Sequence, residues 1–157
     1  MRRIGVVLTV VLAFVASAAS AAPIFADPVG LVQYAYQPYA SDDAAGVDHK
    51  GLYSPSLLAL FEADEARTSE GEIGALDFDP FVNGQDYELT GLEVTEAITN
   101  GDQSLVAVSF YNFGTFHQLM FTLVHRAEGW KIDDIESVLP GFDWRLSELL
   151  AADPMLN

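Results

Sequence analysis

The chain has 157 residues, no cysteine, and 23 acidic side chains against seven basic ones, for a formal net charge of −16. A field of that sign repels phosphate backbones and anionic lipid surfaces, which excludes nucleic-acid binding and leaves a cation or a basic protein as the favoured charged partner. The missing thiol excludes disulfides, cysteine nucleophiles, iron–sulfur clusters and thiolate zinc sites, so packing alone must hold the fold.

The first 21 residues are expected to be a cleaved export signal. "MRR" gives a positive start, "IGVVLTVVLAFVA" an apolar run, and "SAASAA" the small residues that a signal peptidase reads. Cleavage after Ala21 keeps Pro23 away from the cut. The run of about 13 apolar residues is short of the ~20 a spanning helix needs, so no membrane insertion is expected after cleavage. The resulting protein is periplasmic or secreted, without a lipid anchor on a cysteine. Residues 22–157 are then a single domain, and the loss of Arg2 and Arg3 moves its charge to about −18.

The elements follow in order. "DPVGLVQYAYQPYA" predicts a helix with Asp27 as cap and Pro28 at its first position, and "YSPSLLALFEADEAR" repeats the device with Ser54 and Pro55. Between them, "SDDAAGVDHKG" reads as a polar loop. From Tyr87 the apolar rhythm changes from 3.6 to 2. "YELTGLEVTEAIT" predicts a strand with a bulge at Gly91, Asn100-Gly101 a hairpin turn, and "SLVAVSFYNF" and "FHQLMFTLVHR" two further strands around a turn at Gly114. "WKIDDIES" is the fourth strand, and "WRLSELLAAD" a short closing helix with Leu146, Leu149 and Leu150 on one side. Helices before strands predict an α+β domain, its helices packed on one face of a curved four-stranded antiparallel sheet. The second face is expected to be covered by the last helix or by another copy of the chain, as a homodimer.

The helices-first meander ending in "EGWKIDDI" resembles the nuclear transport factor 2-like superfamily, a cone-shaped, cystatin-like fold around a pocket. "LYSPSLLALFEADE", "LDFDPFVNGQDYE" and "GWKIDDI" together resemble a bacterial family within it, domain of unknown function 3828. The likeness spans about Asp27 to Leu150. It implies a fold and no settled activity; enzymes of the superfamily place a carboxylate or His–Asp pair deep in the cone.

"LDFDPFVNGQDYE" concentrates the candidate chemistry. Asp79-Pro80 and Asn83-Gly84 predict a turn, with aspartate oxygens accepting backbone donors and Phe78, Phe81 and Tyr87 anchoring it. A second reading places Asp79, Gln85 and Asp86 on the rim of a ligand pocket lined by Tyr34 and Tyr36. A third gives Asp77, Asp79, Asn83 and Asp86 to calcium, although Phe81 and Val82 occupy positions where an EF-hand needs an oxygen ligand and glycine. No cofactor is implied.

Elsewhere, Asp133 and Asp134 are expected on opposite faces of their strand, with Ile132 and Ile135 likewise divided. One carboxylate would then point inward and could serve as a general base, with Tyr34 or Tyr36 as proton donor. His117 and His125 lie about 27 Å apart on one strand at 3.4 Å per residue, so they cannot share a metal, and both are read as strand-end residues. His49 is read as an exposed loop residue and Trp130 as a core plug. Ser54, Ser56 and Ser69 lack the glycine-flanked elbow of a hydrolase nucleophile. Three functions remain open: a non-catalytic binding domain, a small acid–base enzyme of isomerase or dehydratase type, and an acidic inhibitor or immunity-type protein for a basic partner.

Overall fold

A computed structural model describes residues 23–40 and 46–152; the segment expected to be an export signal lies outside them. Helix α1 (Pro28–Ala35) starts as its sequence dictates: Asp27 Oδ2 accepts from Gly30 N at 2.7 Å, with Pro28 behind the cap. Its buried side chains, Leu31, Val32 and Ala35, continue into Tyr36. A separate single turn, α2 (Gln37–Ala40), follows. Helix α3 (Pro55–Arg67) is capped by Ser54, whose Oγ accepts from Leu57 N at 3.1 Å. Its last turn holds the outgoing chain through Asp64, which accepts from Ala75 N at 2.9 Å and pairs with Arg67. That clamp delivers the chain to the aspartate-rich loop.

The sheet has six strands where four were expected. In chain order they are β1 (Leu89–Val94), β2 (Ile98–Asn100), β3 (Gln103–Asn112), β4 (Thr115–Arg126), β5 (Gly129–Ser137) and β6 (Trp144–Arg145). All pairings are antiparallel, in the order β1-β3-β4-β5-β6, with β2 also on β3. The first expected strand divides in two because Thr95 leaves the ladder to bond Ala107 through both its N–H and its hydroxyl. The bulge at Gly91 is present: register shifts between Thr90 and Glu93, and Gly91 has φ +62°. The sixth strand, only two residues long, lies within the segment read as the closing helix.

A second bulge, at Asp133, was not anticipated. Thr122 pairs with Asp134 and Leu123 with Ile132, so Asp133 is the extra residue. Strict alternation would separate Ile132 from Ile135; the bulge returns both to the core, each fully buried. The closing helix α4 (Leu146–Ala151) packs against α3, and Leu146 and Leu150 join the same core as α1. It does not cover the second face of the sheet, as one expectation had it.

The core lies between the helices and one sheet face. Val106, Val108 and Phe110 on β3 and Leu119, Phe121 and Leu123 on β4 line it, all fully buried. Trp130 is 6% exposed and plugs one end, as expected. There the chain preceding α1 is pinned, because Trp130 N donates to Phe25 O at 2.9 Å across Gly129. Gly129 has φ +87°, and a β-carbon on it would lie 2.4 Å from Phe25 O. Gly129→Ala is expected to lower stability by about 2 kcal/mol or more in urea unfolding, since it adds a clash to a left-handed residue. An unchanged midpoint would show that the Phe25 crossing contributes nothing.

Candidate functional site

The loop Leu76–Glu88 enters the interior that the sheet and α1 enclose. Asp79 and Gly84 exchange main-chain hydrogen bonds (Asp79 N to Gly84 O, 2.9 Å), and Asp79 Oδ1 accepts from Phe81 N at 2.9 Å. Asn83 takes the left-handed conformation, φ +51°, that the Asn-Gly pair leads one to expect. The turn thrusts Phe81 and Val82 inward, 2% and 0% exposed. Phe81 and Tyr36 meet edge to face with centroids 6.0 Å apart, Phe121 lies 5.8 Å from Phe81, and Phe110 lies 6.4 Å from Tyr36. Four rings occupy the space that a pocket would need.

Polar atoms key the plug in place. Tyr36 Oη donates to Phe81 O at 2.8 Å, and burial raises its pKa well above the ordinary value. Asn112 Nδ2 donates to Val82 O and Asp86 O, while its Oδ1 accepts from Glu88 N. Asn83 bridges the farthest elements. Trp144 Nε1, which can only donate, gives its hydrogen to Asn83 Oδ1 at 2.8 Å. Asn83 Nδ2 must therefore face His117, 2.9 Å from Nδ1, and that nitrogen must accept. His117 is thus neutral with its proton on Nε2. Its ring stacks on Phe110 at 5.4 Å and is 6% exposed, so it is a core residue and not the strand-end residue expected.

The sequence-derived candidates fall into separate environments. Tyr36 is sealed inside, whereas Tyr34 packs against Phe25 with centroids 5.1 Å apart. Asp79 accepts from Tyr39 Oη at 2.6 Å; burial, and then this bond, raise the pKa of Tyr39, which sequence reasoning had left outside the site. Gln85 and Asp86 are exposed. Asp77, Asp79 and Gln85 line a broad, open depression together with Ile73, Leu76 and Phe78, not a pocket closed by Tyr34 and Tyr36. Among the described residues no three acidic or histidine side chains lie together in a way that would hold a metal ion. His49 is not a free loop residue: Nε2 donates to Ala35 O at 2.9 Å, and the ring stacks on Phe81 at 4.3 Å.

The carboxylates of β5 have structural partners. Asp133 Oδ1 accepts from Ser54 Oγ at 2.6 Å, joining the bulge to the cap of α3. Asp134 accepts from Ser147 N at 3.0 Å and Ser147 Oγ at 2.6 Å, holding the first turn of α4, and pairs with Arg145 at 3.4 Å. Asp134 is buried, 8% exposed, and Asp133 half-buried, so one carboxylate is withdrawn from solvent as expected; the bulge breaks the strict alternation between them, and the buried one is held by α4 and Arg145. Neither carboxylate has a tyrosine as hydrogen-bond partner.

The excess of carboxylates leaves the surface strongly acidic, and each of the five described basic side chains has a partner. Lys50 pairs with Glu65, Arg67 with Asp64, Arg126 with Asp102, and Arg145 with Asp134 and Glu136, while Lys131 donates to Gly51 O. The sheet face turned away from the helices is uncharged along β3 and along β4 up to Arg126 at its end, with Leu105 41% exposed and Ile98 beside it 75% exposed.

In a comparison with solved structures, a chain of the type VI native effector–immunity complex Tae3-Tai3 from Ralstonia pickettii is similar to this one. The TM-score is 0.52 at 20% identity, over 74% of this chain and 98% of that one. The two share a fold. Comparisons with protein-family models and with curated proteins give no match.

Burial lowers the pKa of His117 below its ordinary 6.5. The folded state therefore binds fewer protons than the unfolded chain just below that value. The stability tied to the neutral ring is complete above pH 6.5 and is lost as pH falls toward the folded pKa, at up to about 1.4 kcal/mol per pH unit. NMR titration of the ring should give a midpoint below 6.5, with the proton of the neutral ring on Nε2. A ring half-protonated at or above pH 6.5 would contradict the bridge through Asn83.

Proposed function

We propose that this is an exported, non-catalytic interaction domain of inhibitor or immunity type, which captures a basic protein partner. The observation that carries the reading is the filled interior: Tyr36, Phe81, Phe110 and Phe121 occupy the place where a small-molecule site would have to be. Of the groups considered for acid–base chemistry, Tyr36 serves a main-chain carbonyl, Tyr34 packs on Phe25, and the carboxylates serve caps and a bulge. An acidic surface on which carboxylates far outnumber cations is suited to steering a cationic protein. The fold shared with a chain of an effector–immunity complex supports the same reading.

Export rests on the leader sequence. Membership of the nuclear transport factor 2-like superfamily, and of domain of unknown function 3828 within it, is likewise proposed. Its support is the order of helices before a meander and the position of "DPFVNGQD" beneath α1.

The test is retention of envelope proteins from the source cells on the immobilised mature domain. A basic protein should bind at ~50 mM salt and be released by ~500 mM, where screening shortens the reach of surface charge to a few Å. An acidic partner, binding insensitive to salt, or turnover of a small molecule would contradict the reading.

A further inference from the structure

The turn between β3 and β4 has only two residues, Phe113-Gly114, because Asn112 pairs directly with Thr115. Both have positive φ, +47° and +77°. Such a turn favours asparagine, aspartate or glycine at its first position, and a bulky aromatic there is a genuine outlier. Phe113 is also 61% exposed. Backbone geometry and solvation both work against this residue, so the fold itself gives no reason for it.

Its neighbours make a wedge. Tyr111 and Phe116 pair across the hairpin on the outer face, centroids 5.4 Å apart, 46% and 42% exposed. Farther along β4 from the tip, Phe142, 52% exposed, packs edge-on to His117 at 5.9 Å. The wedge is rigid at its base: Phe113 N donates to Glu88 O at 3.2 Å, and the buried Asn112 ties the same strand to the plug loop. Carboxylates flank it, with Asp86 and Glu88 on the segment bonded to Asn112 and Phe113. The described lysines and arginines are engaged with other groups.

We infer that the β3–β4 hairpin tip, with Phe113 at its apex, is the element that docks into the partner, and that the partner presents an apolar depression rimmed by lysine or arginine. This inference rests on the proposed capture of a basic protein and names the surface that does it. Charge selects the occupant. A second copy would bring like carboxylates together, and anionic lipid would meet them unfavourably, whereas a basic rim pairs with them around an apolar centre.

Phe113→Asn keeps the turn and removes the ring, so two readouts can be taken on one folded protein. The melting temperature of the mature domain should rise by about 3 °C as the turn relaxes. Retention of the basic envelope protein bound by the unaltered domain should weaken at least ~10-fold, as expected for an aromatic anchor. Phe116→Ser, on the exposed side of the wedge, should weaken binding without loss of fold. A photo-crosslinking phenylalanine at position 113 should capture that basic protein, and one at Glu70 should not. Binding unchanged in Phe113→Asn would overturn the tip while leaving the basic partner standing, and no basic partner for the unaltered domain would overturn both. A fall in melting temperature, or cross-links from position 113 to lipid or to a second copy, would also overturn the assignment.

Discussion

Asn83 is the constraint on which the interior depends. It sits in a left-handed turn, and its amide joins β4 through His117 to β6 through Trp144. Because indole can only donate, the amide's orientation is fixed, and with it the tautomer of the histidine. The turn can therefore rest in one register only, the one that presents Phe81 to Tyr36 and Phe121. With no disulfide available, this polar key and the rings beneath it do the work of a staple. Unmade, each buried bond would cost more than it contributes when made, which gives the arrangement its specificity.

Function follows from that filling. An enclosed cavity would invite a ligand, but here the aspartate-rich segment is drawn inward as a plug, and its remaining carboxylates are turned to solvent. The proposed function accordingly places recognition at the surface, where an excess of carboxylates surrounds a few exposed aromatics. The two features act at different ranges. On the proposed reading, charge gathers a cationic partner from a distance that salt controls, and apolar contact at the hairpin tip then decides fit.

Much of the frame was legible in the residues. Asp27-Pro28 and Ser54-Pro55 mark their helices because a capping oxygen and a preset φ are local properties. Gly91 marks its bulge and Asn83-Gly84 its turn for the same reason. What escaped were consequences of distant contacts. The bulge at Asp133 is fixed by Ser54, a partner 79 positions away, and it defeats the alternation argument applied to Ile132 and Ile135. The burial of His117 depends on Asn83, 34 positions away, and β6 exists only where β5 offers an edge. Phe113 was visible all along as an aromatic before a turn glycine, but its conformation became significant only once the two-residue loop was known.

Native-state hydrogen exchange at the amides of Asp79, Phe81 and Glu88, set against those of β3 and β4, probes the plug directly. If the loop is integral to the core, its amides open only with the sheet, and all share the free energy of global unfolding. Loop amides that exchange orders of magnitude faster while β3 and β4 stay protected would show instead a lid over a hidden cavity, and the case for a purely surface-binding domain would fail.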